Sequence, residues 1–255
     1  MTPFSFLIDK IHQGVNPYTS FPATEWGGTW YNDAGAQREI FQQCIGRLNP
    51  SIIIEVGSFV GESAIHMAKL IKAQKRDCAI LCVDTWCFGF DHFLGARDKI
   101  RPHFGRPDLY YKFVANVIAN GCQDVIVPFA IDSINGARVI KWLGLVPNLI
   151  YVDASHEKGD VRRDYEAYWD LLPSGGGMLV DDLTGWFPGV VADWTEFTAD
   201  HGLMPVVIAA TIRHVEAPHG WLNGVVVGFR PPRNAIVSTY PYTPTRHPSS
   251  NDLMW

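Results

Sequence analysis

Apolar residues along this chain alternate between short unbroken runs and longer stretches with helical spacing. From Ser51, "SIIIEVG" is an apolar run closed by glycine, and "ESAIHMAKLIKAQ" follows with Ala64, Ile65, Ala68 and Ile71 at helical spacing. A second run, "CAILCVD", comes next, so strand, helix and strand form a βαβ unit, which implies a parallel sheet with right-handed crossovers. "DVIVPFAID", "PNLIYVD" and "MLVDD" read as further strands, with helices predicted over "SINGARVIKWLG" and "DVRRDYEAYWDLL". Asp160 is the expected N-cap of the last of these helices, which Pro173 and the glycines Gly175 to Gly177 stop. Near the end, "MPVVIAATIRHVE" and "GVVVGFRP" are β-rich with no long helix between them, and are expected to pair as an antiparallel edge. The pattern predicts an α/β three-layer sandwich with a mostly parallel sheet and an antiparallel last strand.

Three segments follow from this pattern. Residues 1–48 mix aromatics, Gly and Pro before the helical-looking "AQREIFQQCIGRL" and read as an N-terminal cap or lid. Residues 49–230 form the main domain, with an insertion over 86–122 that is partly helical at "YYKFVANVIAN" and too long for a simple connection. Residues 231–255 read as a Pro-rich extended tail. Composition adds limits: 255 residues, 47% hydrophobic and 18% charged, describe one sizeable core. A net charge of −5, with no basic cluster beyond "KAQKR" at Lys72 to Arg76, argues against a nucleic-acid partner. Five cysteines without a C-x-x-C pair suggest reduced thiols in a cytoplasmic compartment. No apolar run is long enough to cross a bilayer and the N-terminus lacks a basic flank followed by a long apolar stretch, so no membrane association or export is expected. A homo-oligomer in which the tail ending "NDLMW" exchanges between subunits is compatible with the sequence.

In open α/β sheets, ligands bind outside the carboxyl ends of the strands near the point where strand order reverses. Here those ends carry Glu55, Gly57 and Gly61, then Asp84, Asp132 and Asp153, and finally Asp181 with Asp182. Each carboxylate must be solvated or paired, so the succession is hard to assign to folding alone. The loop "EVGSFVGES" fails the dinucleotide pattern G-x-G-x-x-G, whose second and third glycines would fall on Phe59 and Glu62. Glu62 in the first turn of the following helix would also repel a pyrophosphate. S-adenosylmethionine (SAM), bearing an ammonium and a sulfonium, tolerates acidic neighbours, and Asp84 is suited to accept hydrogen bonds from two ribose hydroxyls. A glycine chosen for a tight turn and an Asp that solvates a strand end are the alternative.

"IIIEVGSFVGESAIHMA", "ILCVDTW", "FAIDS" and "IYVDASHEKGDVRRDYEAYWDLLPSGGGMLVDD" together resemble the class I SAM-dependent methyltransferases, whose fold is Rossmann-like. The likeness is greatest to the branch of macrocin-type sugar O-methyltransferases and cephalosporin hydroxylase-like proteins. That branch has Asp-Gly-x-His after the fourth strand, an acidic residue one helix further on, and Leu-x-Pro-Gly-Gly before a strand ending in Asp. Asp153, His156, Asp164, Leu172 and the glycines match; Ala154 and Ser174 depart from the pattern. The likeness covers roughly residues 35–183. It implies a cofactor-binding set of Glu55, Gly57, Ser58, Gly61, Ser63, Asp84, Trp86, Asp132 and Ser133. Glu55, Gly57 and Ser63 would hold the methionine part, Asp84 the ribose, and Asp132 with Ser133 the adenine. Trp86 would pack on the adenosine or serve as a core residue.

Asp153, Asp181 and Asp182 resemble the Asp / Asp-Asn metal triad of catechol-type O-methyltransferases. Three converging carboxylates without a cation would repel one another, and oxygen ligands with room for water suit Mg²⁺, with Mn²⁺ or Ca²⁺ as alternatives. The rival is that Asp182 only caps a loop and Asp153 touches only the cofactor. His156 stands three residues after Asp153, where the catechol-type enzymes place a lysine base, and is the candidate general base with Asp153 as its catalytic neighbour. His92 and His103 are further candidates to face substrate. Trp26, Trp30, Tyr31, Phe88, Phe90, Trp186 and Phe187 fall in segments expected to border the strand ends and to stack on a sugar or planar aglycone. The expected function is SAM-dependent, divalent-metal-dependent O-methylation of a hydroxylated small molecule. A metal-independent mechanism, a nicotinamide-dependent oxidoreductase and a non-catalytic scaffold are the alternatives.

Overall fold

The computed structural model describes residues 1–26, 38–90, 92–93, 100–183 and 187–203, and the backbone of two strands at 206–213 and 221–229. The chain opens with α1 (Pro3–His12), the short α2 (Ala23–Trp26) and α3 (Arg38–Leu48). Then come β1 (Ile52–Val56), α4 (Glu62–Ala73) and β2 (Ala79–Asp84). The predicted insertion holds a two-stranded hairpin, β3 (Pro102–His103) with β4 (Arg106–Pro107), and α5 (Leu109–Ala119). The remainder is β5 (Ile126–Ala130), α6 (Ser133–Trp142), β6 (Leu149–Val152), α7 (Asp160–Trp169), β7 (Gly177–Val180), α8 (Pro188–Asp200), β8 (Val206–Arg213) and β9 (Trp221–Phe229).

Seven strands pair in the order β5-β2-β1-β6-β7-β9-β8. The first five are parallel, and β9 runs antiparallel between β7 and β8. The expected mostly parallel sheet with an antiparallel last strand is therefore what the chain forms. Successive strand residues point to opposite faces, and both faces are covered. Ile53, Ile80, Cys82 and Tyr151 pack with α3, α4 and α5 residues such as Phe41, Ile65 and Phe113. Ile54, Leu81, Val83 and Val152 pack with α1, α6, α7 and α8 residues such as Leu7, Ala137, Tyr165 and Trp194. Burial on both faces explains why these strands read as continuous apolar runs. Part of the predicted insertion is thus a core helix, because Phe113, Val114 and Val117 of α5 are buried.

The N-terminal segment seals an edge of the sheet. The His12 ring nitrogen Nε2 donates to the Pro128 carbonyl at 2.7 Å, and the Tyr18 hydroxyl donates to the Ile126 carbonyl at 2.9 Å. Both acceptors lie on β5, the outermost strand, whose outward carbonyls would otherwise offer a pairing edge. Strand order reverses between β1 and β6, and the crevice at their carboxyl ends is the switch point. No helix among the described residues is long and apolar enough to cross a membrane. The tail over 231–255, with Trp30, Tyr31 and Trp186, lies outside the described residues.

Candidate active site

The turn after β1 is built by backbone proximity. Gly57 has φ +83°, and a Cβ there would sit 1.9 Å from the Asp153 carbonyl oxygen and 2.6 Å from the Ala154 Cα. Only glycine lets the ends of β1 and β6 come this close. Asp84 fastens the same turn: its Oδ2 accepts from the Ser58 and Phe59 amides, both at 2.8 Å, and its Oδ1 accepts from the Trp86 amide at 2.6 Å. A carboxylate has about four acceptor sites, so the position expected to bind ribose hydroxyls has room for a further donor while already holding the loop. Glu55 is fully buried beneath the turn. It accepts from the Ser58 and Ser63 hydroxyls at 2.6 and 2.5 Å, and burial pushes its carboxyl up to about 7.

A cavity of about 1030 Å³ opens over these strand ends, at the upper end of the roughly 300–1,000 Å³ usual for small-molecule sites. Of the expected cofactor-binding residues, Gly57, Ser58, Ser63, Asp84, Asp132 and Ser133 line it. Glu55, Gly61 and Trp86 do not. Glu55 supports the turn from below, and Gly61 (φ +90°) starts α4. Trp86 is only 3% exposed, donates from Nε1 to the Phe59 carbonyl at 2.7 Å, and packs on Tyr110 and Phe113. The structure thus gives Trp86 the core role.

On the far side, Asp132 caps α6 by accepting from the Asn135 amide at 2.9 Å, and its carboxyl is lowered by this and a second bond from the Asn135 side chain. The Ser133 hydroxyl donates to Asp164 at 2.5 Å, and burial raises the Asp164 carboxyl to about 6. Asp164 itself lines the cavity from α7.

Opposite the glycine turn, β6 and β7 deliver the acidic cluster. Asp153, His156 and Asp182 each offer a ligand atom within 4.8 Å of the others. His156 Nε2 and Asp182 Oδ2 are 2.7 Å apart, and the imidazole stacks on Phe187 with centroids 4.0 Å apart. Asp182 adopts φ +58°, a left-handed conformation that a short polar side chain tolerates. Asp181 is turned elsewhere. It accepts from the Tyr151 hydroxyl and, at 2.8 Å, from the Asp182 amide. Burial, then the mutual repulsion of these carboxylates, raises Asp153 and Asp181 above the ordinary range. The constellation brought together is therefore Asp153, His156 and Asp182, with the expected third carboxylate, Asp181, given to Tyr151. Two carboxylate oxygens and an imidazole nitrogen fit a hard or borderline divalent cation that keeps waters.

The aromatic residues divide. Phe88, Phe90 and His92 line the cavity, and His92 stacks on Phe59 at 5.0 Å. Trp26 stacks on Tyr111 at 4.5 Å with His103 against its edge, and neither lines the cavity. The α7 N-cap is Gly159, not Asp160, which is the first helical residue. The missing cap acceptor is Asp193 of α8, which the sequence pattern did not single out. Its Oδ2 accepts from the Gly159 and Arg162 amides at 2.6 and 3.0 Å.

No curated protein sequence matches the chain. Solved structures do. An O-methyltransferase from Bacillus cereus in complex with SAH is similar over 89% of this chain and 97% of its own, at 12% identity and a TM-score of 0.54. TomG, the O-methyltransferase of tomaymycin synthesis from Streptomyces achromogenes, solved with SAM, is similar over 89% of both chains at 12% identity and a TM-score of 0.54. CalS11, a TDP-rhamnose 3′-O-methyltransferase of calicheamicin biosynthesis, covers 73% of this chain and 78% of its own at 17% identity and a TM-score of 0.50. At these identities the likeness shows a shared fold. Residues 54–183, from β1 to just beyond the acidic end of β7, match the family described as Methyltransferase domain, which is just over half of the sequence, and the chain belongs to that family.

Proposed function

We propose that the protein transfers the methyl group of SAM to a hydroxyl oxygen of a small molecule, with a divalent cation at Asp153 and Asp182. The observation that carries this reading is that the glycine turn after β1 and an imidazole–carboxylate pair just after β6 and β7 line one cavity. The folds shared with TomG and CalS11, both O-methyltransferases by name, support oxygen as the acceptor atom. SAM supplies an already activated methyl carbon, so the protein's task is alignment and removal of the acceptor's proton.

Each residue has a part in that task. Gly57, Ser58 and Ser63 line the cavity beside Asp153 and hold the methionine end. Asp84 retains an acceptor site for a ribose hydroxyl, and Asp132, Ser133 and Asp164 face the base. His156 takes the hydroxyl proton, and Asp182, 2.7 Å from its Nε2, orients the ring and stabilises the imidazolium that forms. Tyr151 fixes Asp181 behind them. A bound Mg²⁺ or Mn²⁺ would supply a Lewis acid that lowers the acceptor's pKa. The acceptor is a hydroxylated small molecule, with a sugar, glycoside or polyketide-like compound as the class to test first.

The test is calorimetric titration with SAM and S-adenosylhomocysteine (SAH), in Mg²⁺ and then in EDTA. Micromolar binding in either condition is expected, and no binding in both overturns the reading. A second reading dispenses with the metal, favoured by the direct His156–Asp182 contact, which alone makes a base and its orienting group. Titration with Mn²⁺ in the presence of SAH, followed by loss of the free-ion electron paramagnetic resonance signal, separates the two. Saturable binding lost in Asp182→Ala supports the metal, and no binding supports the dyad alone.

A further inference from the structure

The His156 ring stands on a loop, residues 154–159, that no strand or helix holds internally. Besides Asp182 and the Gly57 turn, it is met by α8 and the residue before it. Phe187, just before α8, stacks on the His156 ring. Gly189, in the first turn, lies so close that a Cβ would fall 2.8 Å from the His156 carbonyl oxygen and 2.7 Å from the Lys158 amide nitrogen. Asp193, one turn on and 1% exposed, accepts from the amides of Gly159 and Arg162. Those are the N-cap and an early residue of α7, whose first amides have no partner within the helix and whose N-cap glycine offers no side chain. A buried carboxylate on a neighbouring helix therefore closes the loop that carries the candidate base. Lys158 and Glu196, 3.0 Å apart, add a surface link of little energetic weight.

The helix is itself anchored. Trp194 and Phe197 of α8 pack against Tyr165, and Phe197 also against Trp169, in the core. Its position is thus fixed by the aromatic layer beneath the sheet, and α8 follows β7, whose exit turn carries Asp182. The anchored helix thus bears directly on the His156 loop.

We propose that Asp193, acting with Gly189 and Phe187, is the positioning residue that sets His156 against Asp182. Its role in methyl transfer rests on the function proposed above, but the clamp is a property of the chain and can be read without an acceptor. Asp193 touches neither the cavity nor the reacting atoms. It acts by holding the backbone at Gly159 and Arg162, which keeps the imidazole stacked on Phe187 and within hydrogen-bond distance of the carboxylate.

The experiment uses the full chain with ¹³C-labelled histidine, the His156 signal being assigned by its absence in His156→Gln. Stacking on Phe187 places the His156 ring protons in a shielded, upfield position. Asp193→Ala is expected to release that shift, to raise hydrogen exchange over 156–162 by about tenfold or more, and to leave SAH affinity within about threefold. Asp193→Asn, which keeps a carbonyl acceptor, is expected to restore most of both signals. An Asp193→Ala protein that exchanges faster but keeps the His156 shift overturns the proposal, because the carboxylate would then serve only to cap α7. No change in either signal overturns it also. Where Asp193→Ala does not fold, Gly189→Ala reads the same contact: displacement of the His156 signal supports the clamp and an unmoved signal overturns it. Failure of the wild-type protein to bind SAM or SAH would overturn the proposed function and leave this reading of the clamp standing.

Discussion

Glu55→Gln tests the electrostatics beneath the glycine turn. Glu55 has no exposed surface, and its two oxygens take the hydroxyls of Ser58 and Ser63. Burial raises its carboxyl from 4.5 to about 7 because the hydroxyl bonds that favour the anion do not offset the loss of water. The folded protein therefore keeps the Glu55 proton over a pH range in which the unfolded chain releases it. The sign follows from proton linkage: the favourable contribution is fully present below pH 4.5, is lost as pH rises toward about 7, and stays lost above that. At about 1.4 kcal/mol per pH unit, this interval amounts to about 3 kcal/mol. Glutamine fills the same space, accepts from one serine and donates to the other, and does not titrate. Denaturant unfolding of both proteins across this range isolates the term, since the other ionisable groups are common to both. The stability of Glu55→Gln relative to wild type is expected to rise by about 3 kcal/mol from pH 4.5 to 7.5. A difference that stays flat over that range would refute the reasoning and place an ionised, solvated Glu55 under the loop.

Three further outcomes are expected. Gly57→Ala drives a Cβ into the Asp153 backbone at a left-handed φ, so a loss of about 3 kcal/mol or more in denaturant unfolding is expected together with loss of SAH binding, and a stable, binding variant would contradict the close approach. Trp86→Leu is expected to cost about 3 kcal/mol while changing SAH affinity little, as befits a core residue, and lost affinity at unchanged stability would return Trp86 to the cofactor. Cys87, exposed on the cavity wall, is expected to be the one thiol that maleimide labels in the native protein, and SAH is expected to slow it; burial pushes Cys44 up to about 11 and Cys78 to about 12, and labelling of either in peptide maps would contradict this.

The strands were legible because two helical layers bury both faces of the sheet, which leaves unbroken apolar runs with acids only at their ends. The side to which each acid turns was not legible. Asp181 and Asp182 are adjacent, and the sequence offers no sign that the first continues the strand toward Tyr151 while the second enters a left-handed turn toward His156. The N-cap of α7 failed for a related reason: propensity favours Asp160, but Asp193 supplies the acceptor through tertiary contact and leaves the cap position to glycine. Helix α8 left a readable signal, with Pro188 at its start and Val190, Trp194 and Phe197 at helical spacing. An aspartate within the buried face breaks the binary pattern that would have announced it.

The succession of acidic strand ends has two physical origins rather than one. Glu55, Asp84 and Asp181 are held by donors from the protein itself: hydroxyls of Ser58 and Ser63, backbone amides of the glycine turn, and the Tyr151 hydroxyl. They set the shape of the loops. Asp153 and Asp182 differ, since on the cavity wall, which Asp84 also reaches, they alone of these acids stand in a cluster with the His156 imidazole. Because a parallel sheet brings all its carboxyl ends to one side, the groups that tie the loops down and the groups that face a ligand must share that edge. The glycine turn joins them, for the Asp153 carbonyl is the atom that excludes any side chain at Gly57. A shift in the loop over Glu55 is therefore transmitted by backbone contact to Asp153, which stands beside His156.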